Sequence, residues 1–240
     1  MINVKRLGKK LLPYILALLM ILPVTWLLRP LGIAVFSPEY STEPIVILDA
    51  GHGGADGGAV SADGIAESEI NLAITKRLAL LMIFCGQRVA LTRVDDNDLS
   101  SPDAQSIKEQ KRSDLKNRVA AINSAPNATL ISIHQNSLAG HPEVHGAQVF
   151  YSTVTGSNLL ADAVQLQLNL YHNSGNEKQA KRIDSSIYLM NEVHCPAILV
   201  ECGFLSNRQE AHALCTPEYQ KQIVLAIAAG YFSYTNEGIS

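Results

Sequence analysis

The sequence predicts a single-domain α/β fold, a largely parallel sheet of about six strands, preceded by one transmembrane helix. Two observations predict the domain: short β-branched apolar runs alternate with helix-period segments, and three of those runs end in an ionisable residue. A third predicts the leading helix: Leu11 to Leu28 contains no charge, and Lys5, Arg6, Lys9 and Lys10 precede it.

That leading run would reach roughly 27 Å as a helix, close to the thickness of a bilayer's hydrocarbon core. The basic flank places its amino terminus in the cytoplasm and everything after residue 30 outside it. A cleaved signal peptide is the alternative reading, but the run is long for a signal core and no small-x-small site follows it. Residues 1–30 are therefore expected to be a retained anchor, 31–44 a proline-bracketed polar linker, and 45–238 the folded domain. This arrangement puts the domain in an extracytoplasmic, membrane-anchored location.

The anchor holds five of the nineteen Lys and Arg and none of the twenty-two acids, so fourteen cations against twenty-two acids leave the remainder at −8. Such a field draws in neither nucleic acid nor anionic lipid. Cys85, Cys195, Cys202 and Cys215 show no C-x-x-C spacing and lie in apolar segments, which predicts buried thiols rather than a thiolate metal site.

Ile45 to Leu48 is bounded by Pro44 and a glycine loop and reads as a central strand buried on both faces. From Glu67 the period changes: Ile70, Ala73, Ile74, Leu78, Leu81, Met82 and Cys85 mark an amphipathic helix that stops at Gly86. Gln87 to Thr92 is the second expected strand. Leu115, Val119 and Ile122 mark the second helix, and Thr129 to Ile133 is a third strand closing on His134.

Gly146 to Ser152 reads as a strand, and Leu160, Val164, Leu168 and Tyr171 as a helix. Residues 173–186 are polar and read as a loop, Ile187 to Met190 as a short strand, and Pro196 to Val200 as a buried strand closing on Glu201. Thr216-Pro217 is an N-cap and first-turn pair opening a last helix through Tyr219, Ile223, Ala226, Ile227 and Gly230.

The chemistry collects where strands run out. His52, His134 and Glu201 each follow an apolar strand, and in α/β sheets the carboxyl ends of the strands form the ligand crevice. Glu67 lies three residues before Ile70, on the inward helix face, where a carboxylate is costly unless something positive meets it. Two imidazoles and a carboxylate form a recurrent ligand set for catalytic zinc with one position left for water. Glu201 is then the candidate base.

Bland readings stand beside this one. A histidine at a strand end is more often a hydrogen-bonded structural residue, and an acid at a helix start serves the helix dipole. The glycine loop also resembles a phosphate cradle, although no Gly-Lys-Ser/Thr follows it. His141, His145, His172, His194 and His212 lie in polar segments and are expected at the surface, with His194 of interest because it precedes the Glu201 strand.

Six stretches tie these residues together: Ile47-Leu-Asp-Ala-Gly-His-Gly-Gly54, Gly64 to Leu72, Leu91-Thr-Arg93, Arg118 to Asn123, Ser132-Ile-His-Gln-Asn136 and Leu199 to Asn207. In that order they resemble the zinc-dependent N-acetylmuramoyl-L-alanine amidases of the amidase 3 family. The resemblance implies a mixed sheet packed between helices, zinc held by His52, Glu67 and His134, and Glu201 as the catalytic glutamate. It implies a peptidoglycan substrate, cleaved between the lactyl group of muramic acid and the L-alanine of the stem peptide.

Gly57 and Gln135 depart from that pattern, standing where a proline and a small residue are common. The single anchor and the stretches Gly146 to Tyr151 and Val200 to Asn207 look most like the germination-specific members that act on spore cortex. That likeness implies a role in muramic lactam formation beside a deacetylase. No obvious long insert of the kind that forms an autoinhibitory helix in division amidases separates His134 from Glu201, so control is expected by expression, location or a partner such as an accessory lipoprotein. A weakly active peptidoglycan- or partner-binding protein that keeps the fold is the alternative, and a zinc peptidase a more distant one.

Overall fold

The structure, a computed structural model, describes residues 43–237. The expected anchor and nearly all of the linker lie outside the described residues; among the described ones, no helix is long and apolar enough to cross a membrane.

Six strands form one sheet: β1 (Ile45–Ala50), β2 (Val89–Leu91), β3 (Ala128–Asn136), β4 (Gln148–Tyr151), β5 (Lys181–Arg182) and β6 (Ala197–Phe204), in the order β2-β1-β3-β6-β4-β5. β2, β1, β3 and β6 run parallel, and β4 pairs antiparallel with β6, which makes the sheet mixed. β1, β3 and β6 are therefore adjacent and end on one edge. The parallel register sets Leu48 beside Ile131 and His134 beside Glu201. A slip of one residue in either strand would put His134 and Glu201 on opposite faces.

The helices are α1 (Glu67–Phe84), α2 (Ile107–Asn123), α3 (Ser157–Tyr171), α4 (Tyr188–Glu192), α5 (Arg208–Leu214) and α6 (Pro217–Glu237). On one face of the sheet, Ile47, Leu130 and Leu199 meet Ile122 of α2 and Leu189, Met190 and Val193 around α4. On the other, α6 packs between α1 and α3. Because both faces are covered, the central strands read as continuous apolar runs rather than alternating ones.

Several expectations change. Ile187 to Met190 is not a strand: its β-prone residues open α4, whose Leu189 and Met190 turn inward with Val193 at helical spacing. The polar stretch 173–186 contributes the two-residue edge strand β5, and α5 was too short to leave a periodic signal. α2 begins eight residues before Leu115, at a capping box in which Ser106 and Glu109 satisfy each other's backbone donors. Of the cysteines only Cys202 is buried; Cys195 is half-buried, Cys85 and Cys215 are exposed, and all four are free. Thr216 does cap α6, its hydroxyl accepting from the Tyr219 amide.

Candidate metal centre

The loop after β1 is held by two buried guanidinium groups. Arg93 donates to the carbonyls of Ala50, Gly51 and Ser68, and Arg118 to those of Ala50 and His52. Arg118 also meets Asp49 Oδ1 at 2.7 Å and Asp114 at 2.9 Å. Thr92 and Ser132 donate to the remaining lone pairs of Asp49. Arg118 and its two carboxylates are paired, as burial demands, while Arg93 donates to backbone carbonyls. The grip on its carbonyl accompanies an uncommon conformation at His52, whose φ is +62°.

His52 is oriented from behind. Its Nδ1 lies 3.0 Å from Asp56 Oδ2, and Asp56 Oδ1 meets Lys111 Nζ at 2.7 Å. Nε2 consequently faces Glu67 Oε2 at 3.2 Å. Glu67, in the first turn of α1, is 3% exposed, and its Oε1 meets His134 Nδ1 at 2.9 Å. One ligand atom from each of His52, Glu67 and His134 lies within 4.8 Å of the others. The histidine rings sit 5.1 Å apart, edge to face.

The carboxylate dominates the electrostatics. Burial opposes its charge, yet hydrogen bonds and attraction from His134 and His52 hold the Glu67 carboxyl far below the usual range. Burial opposes charge on His52 as well, but Glu67 and then Asp56 push its imidazole up to about 9. The negative charge that favours a proton on His52 also favours a cation placed between the same atoms. The donor set therefore suits a divalent metal that accepts nitrogen and oxygen ligands.

Glu201 is the remaining piece. Its register partner is His134, and its Oε2 is buried with no hydrogen-bond partner. Burial pushes its carboxyl up to about 7, helped by the negative charge of Glu67 and opposed by the two histidines.

The four residues expected at the site are thus together on one edge. His194 is not: it is exposed before the start of β6, at the opposite edge, roughly 20 Å along the strand from Glu201. His172 is half-buried rather than at the surface, its Nε2 lying 2.7 Å from the Tyr219 hydroxyl, which donates to Glu210. Asp56, Lys111 and Asn71 had no role assigned from sequence. Asp56 and Asn71 carried only the signal of lying near a ligand, and Lys111 carried none.

A model of the N-acetylmuramoyl-L-alanine amidases matches residues 46–232, which runs from β1 into α6 and includes His52, Glu67, His134 and Glu201. The chain belongs to this family. It is 37% identical over 194 residues to the germination-specific N-acetylmuramoyl-L-alanine amidase of Bacillus subtilis, covering 80% of each chain. Among solved amidases, it is similar to CwlD from Clostridioides difficile, determined in complex with the GerS lipoprotein: TM-score 0.77 and 36% identity over 81% of this chain and 99% of that one. An N-acetylmuramoyl-L-alanine amidase from Clostridium difficile 630 matches with TM-score 0.70 and 30% identity, over 82% and 98% of the two chains. The amidase fold expected from the motifs is the one observed.

Proposed function

We propose that this amidase is a zinc hydrolase of spore-cortex peptidoglycan, cleaving the bond between the lactyl carbonyl of muramic acid and the nitrogen of L-alanine. The observation that carries the reading is the convergence of His52 Nε2, His134 Nδ1 and the Glu67 carboxylate beside an unpartnered Glu201. Zinc bound by those three residues supplies a Lewis acid that polarises the amide carbonyl and brings the pKa of water to about 7.

Everything else falls to the chain. Asp56 keeps His52 turned so that Nε2 faces inward, and Glu67 compensates the charge brought into the site. Glu201 Oε2, poised near neutrality, takes the proton from the attacking water and passes it to the departing nitrogen. The water oxygen joins the lactyl carbon as the carbon–nitrogen bond breaks, leaving a carboxylate on the muramic acid and a free amino terminus on the alanine.

The cortex setting rests on likeness to the germination-specific amidase of Bacillus subtilis. The complex of the Clostridioides difficile relative supports an accessory lipoprotein as partner here too, and a deacetylase acting on the exposed muramic acid is a further candidate. The basic-flanked apolar run of residues 11–28 supports anchoring on the outer face of a membrane.

The test is release of alanine amino termini from purified cortex peptidoglycan. Glu201→Gln should lower the rate by about 10²- to 10⁴-fold while zinc remains bound in equal amount. Undiminished activity would remove Glu201 from the mechanism, and products cut within the stem peptide would replace the amidase with a peptidase. Sedimentation with peptidoglycan without any release would favour the binding-protein alternative.

A further inference from the structure

Behind the three ligands lies a second layer that joins them. Asn71 sits one turn after Glu67 on α1, fully buried, and its Nδ2 donates both to Glu67 Oε1 at 3.2 Å and to the Gly51 carbonyl at 3.1 Å. The Gln135 side chain, 3% exposed, donates from Nε2 to Asn71 Oδ1 at 3.1 Å, and its backbone amide donates to Glu67 Oε1 at 3.1 Å. Two residues thereby touch all three ligand-bearing segments: the residue before His52, Glu67 itself, and the residue after His134.

The donor directions follow from the surroundings. Asn71 faces a carboxylate and a carbonyl, both acceptors only, so its NH₂ must point at them and its oxygen away. Gln135 must then offer its own NH₂ to that oxygen. This leaves Gln135 Oε1 buried with no neighbour to serve it but the Cys202 thiol, a weak donor. A buried acceptor so poorly paired works against stability, so a glutamine there is a poor choice for packing alone.

We propose that Gln135 is a positioning residue for the metal centre: through Asn71 it fixes the rotamer of Glu67 and its spacing from the His52 loop, and so sets the affinity for zinc. The role rests on the metal-centre reading above. Nothing in it requires Gln135 to touch the substrate or the metal. Removing the Nε2 donor frees Asn71 to rotate, and Glu67 Oε1 then loses the Asn71 amide and keeps the Gln135 backbone amide.

Gln135→Met keeps the length and the backbone amide but removes both polar atoms of the side chain. Zinc affinity is measured by competition with a chromophoric chelator, and thermal unfolding is followed with and without zinc. The dissociation constant is expected to rise about tenfold, the lower end of the effect of groups that support ligands. The melting temperature without zinc is expected to change little, because the substitution removes the poorly paired Gln135 Oε1 but leaves Asn71 Oδ1 without its donor. A tenfold loss of zinc affinity without a matching loss of stability in the zinc-free protein is what a purely structural glutamine would not give.

A dissociation constant within twofold of wild type overturns the proposal, as does a melting temperature that falls equally with and without zinc. Asn71→Ala supplies a second reading: added to Gln135→Met, it should weaken binding no further than it does alone, whereas independent, multiplying losses would break the link between the two. A wild-type protein that takes up no zinc overturns the metal centre itself, which separates that failure from a failure of Gln135 alone.

Discussion

Gly51 and His134 share one space. A Cβ added at Gly51 would lie 2.2 Å from Cε1 and 2.3 Å from Nε2 of the His134 ring, closer than any carbon contact allows. The imidazole is seated directly on the backbone of the β1 loop, and only glycine permits the approach. Gly51→Ala is expected to displace His134 from Glu67 and to lower zinc affinity by at least about tenfold. Chelator competition reads the loss, and an unchanged far-ultraviolet dichroism spectrum shows that the sheet has survived.

Asp56 and Lys111 act on His52 from the opposite side. Asp56 accepts from Nδ1, which fixes the proton there and leaves Nε2 free for metal; Lys111 in turn holds Asp56. Asp56→Ala is expected to weaken zinc binding by about 10- to 100-fold. Lys111 is about half exposed, and an ion pair reaching into solvent contributes little, so Lys111→Ala should change the affinity by less than about threefold. Equal losses in the two variants would make the lysine, not the carboxylate, the controlling group.

The ligand set was legible because its residues break a strong local pattern. His52, His134 and Glu201 interrupt apolar strands at their carboxyl ends, and Glu67 puts a charge on an inward helix face. What holds the ligands was not legible. Asp49 and Arg118 are 69 residues apart, and neither Arg93 nor Thr92 carries any mark in sequence of the carbonyl or carboxylate it will meet. α4 was misread because Ile187 to Met190 has strand-like composition, while the contacts that make it helical come from Leu130 and Leu199, distant in sequence. Asp63 looked like any loop acid, yet it meets both Arg208 and His212 and ties the tip of the glycine loop to α5.

Asp49 predicts a pH dependence of stability. Burial alone would raise its pKa, but Arg118, Ser132, His134 and Thr92 outweigh that and lower it from 3.8 to about 2. A carboxyl whose pKa is depressed by folding contributes stability in full above its unfolded value and loses it as pH falls through the folded one. The window is therefore pH 4 down to about 2, and the contribution is about 2 kcal/mol. Asp49→Asn should be the less stable protein at pH 6, and the gap to wild type should narrow by about that amount between pH 4 and 2 in urea unfolding. A gap that stays constant through the window would assign the loss to packing rather than to charge.

Gly57 and Gly58 are adjacent and should respond in opposite ways. Gly58 has φ +70°, and a Cβ there would lie 2.5 Å from Glu67 Oε2 and 2.8 Å from the His52 ring, so Gly58→Ala strains the backbone and presses on two ligands at once. Gly57 lies outside the left-handed region, and a Cβ there would meet only Ala66 Cβ at 4.0 Å. Its freedom is spent in the unfolded chain, where glycine has more conformations to lose. Gly57→Ala is expected to stabilise the protein by about 0.4–1 kcal/mol with zinc affinity unchanged. Gly58→Ala should lose stability and affinity together. Thermal unfolding and chelator competition on both variants check the pair, and a loss of affinity in Gly57→Ala would mean that this position also shapes the site.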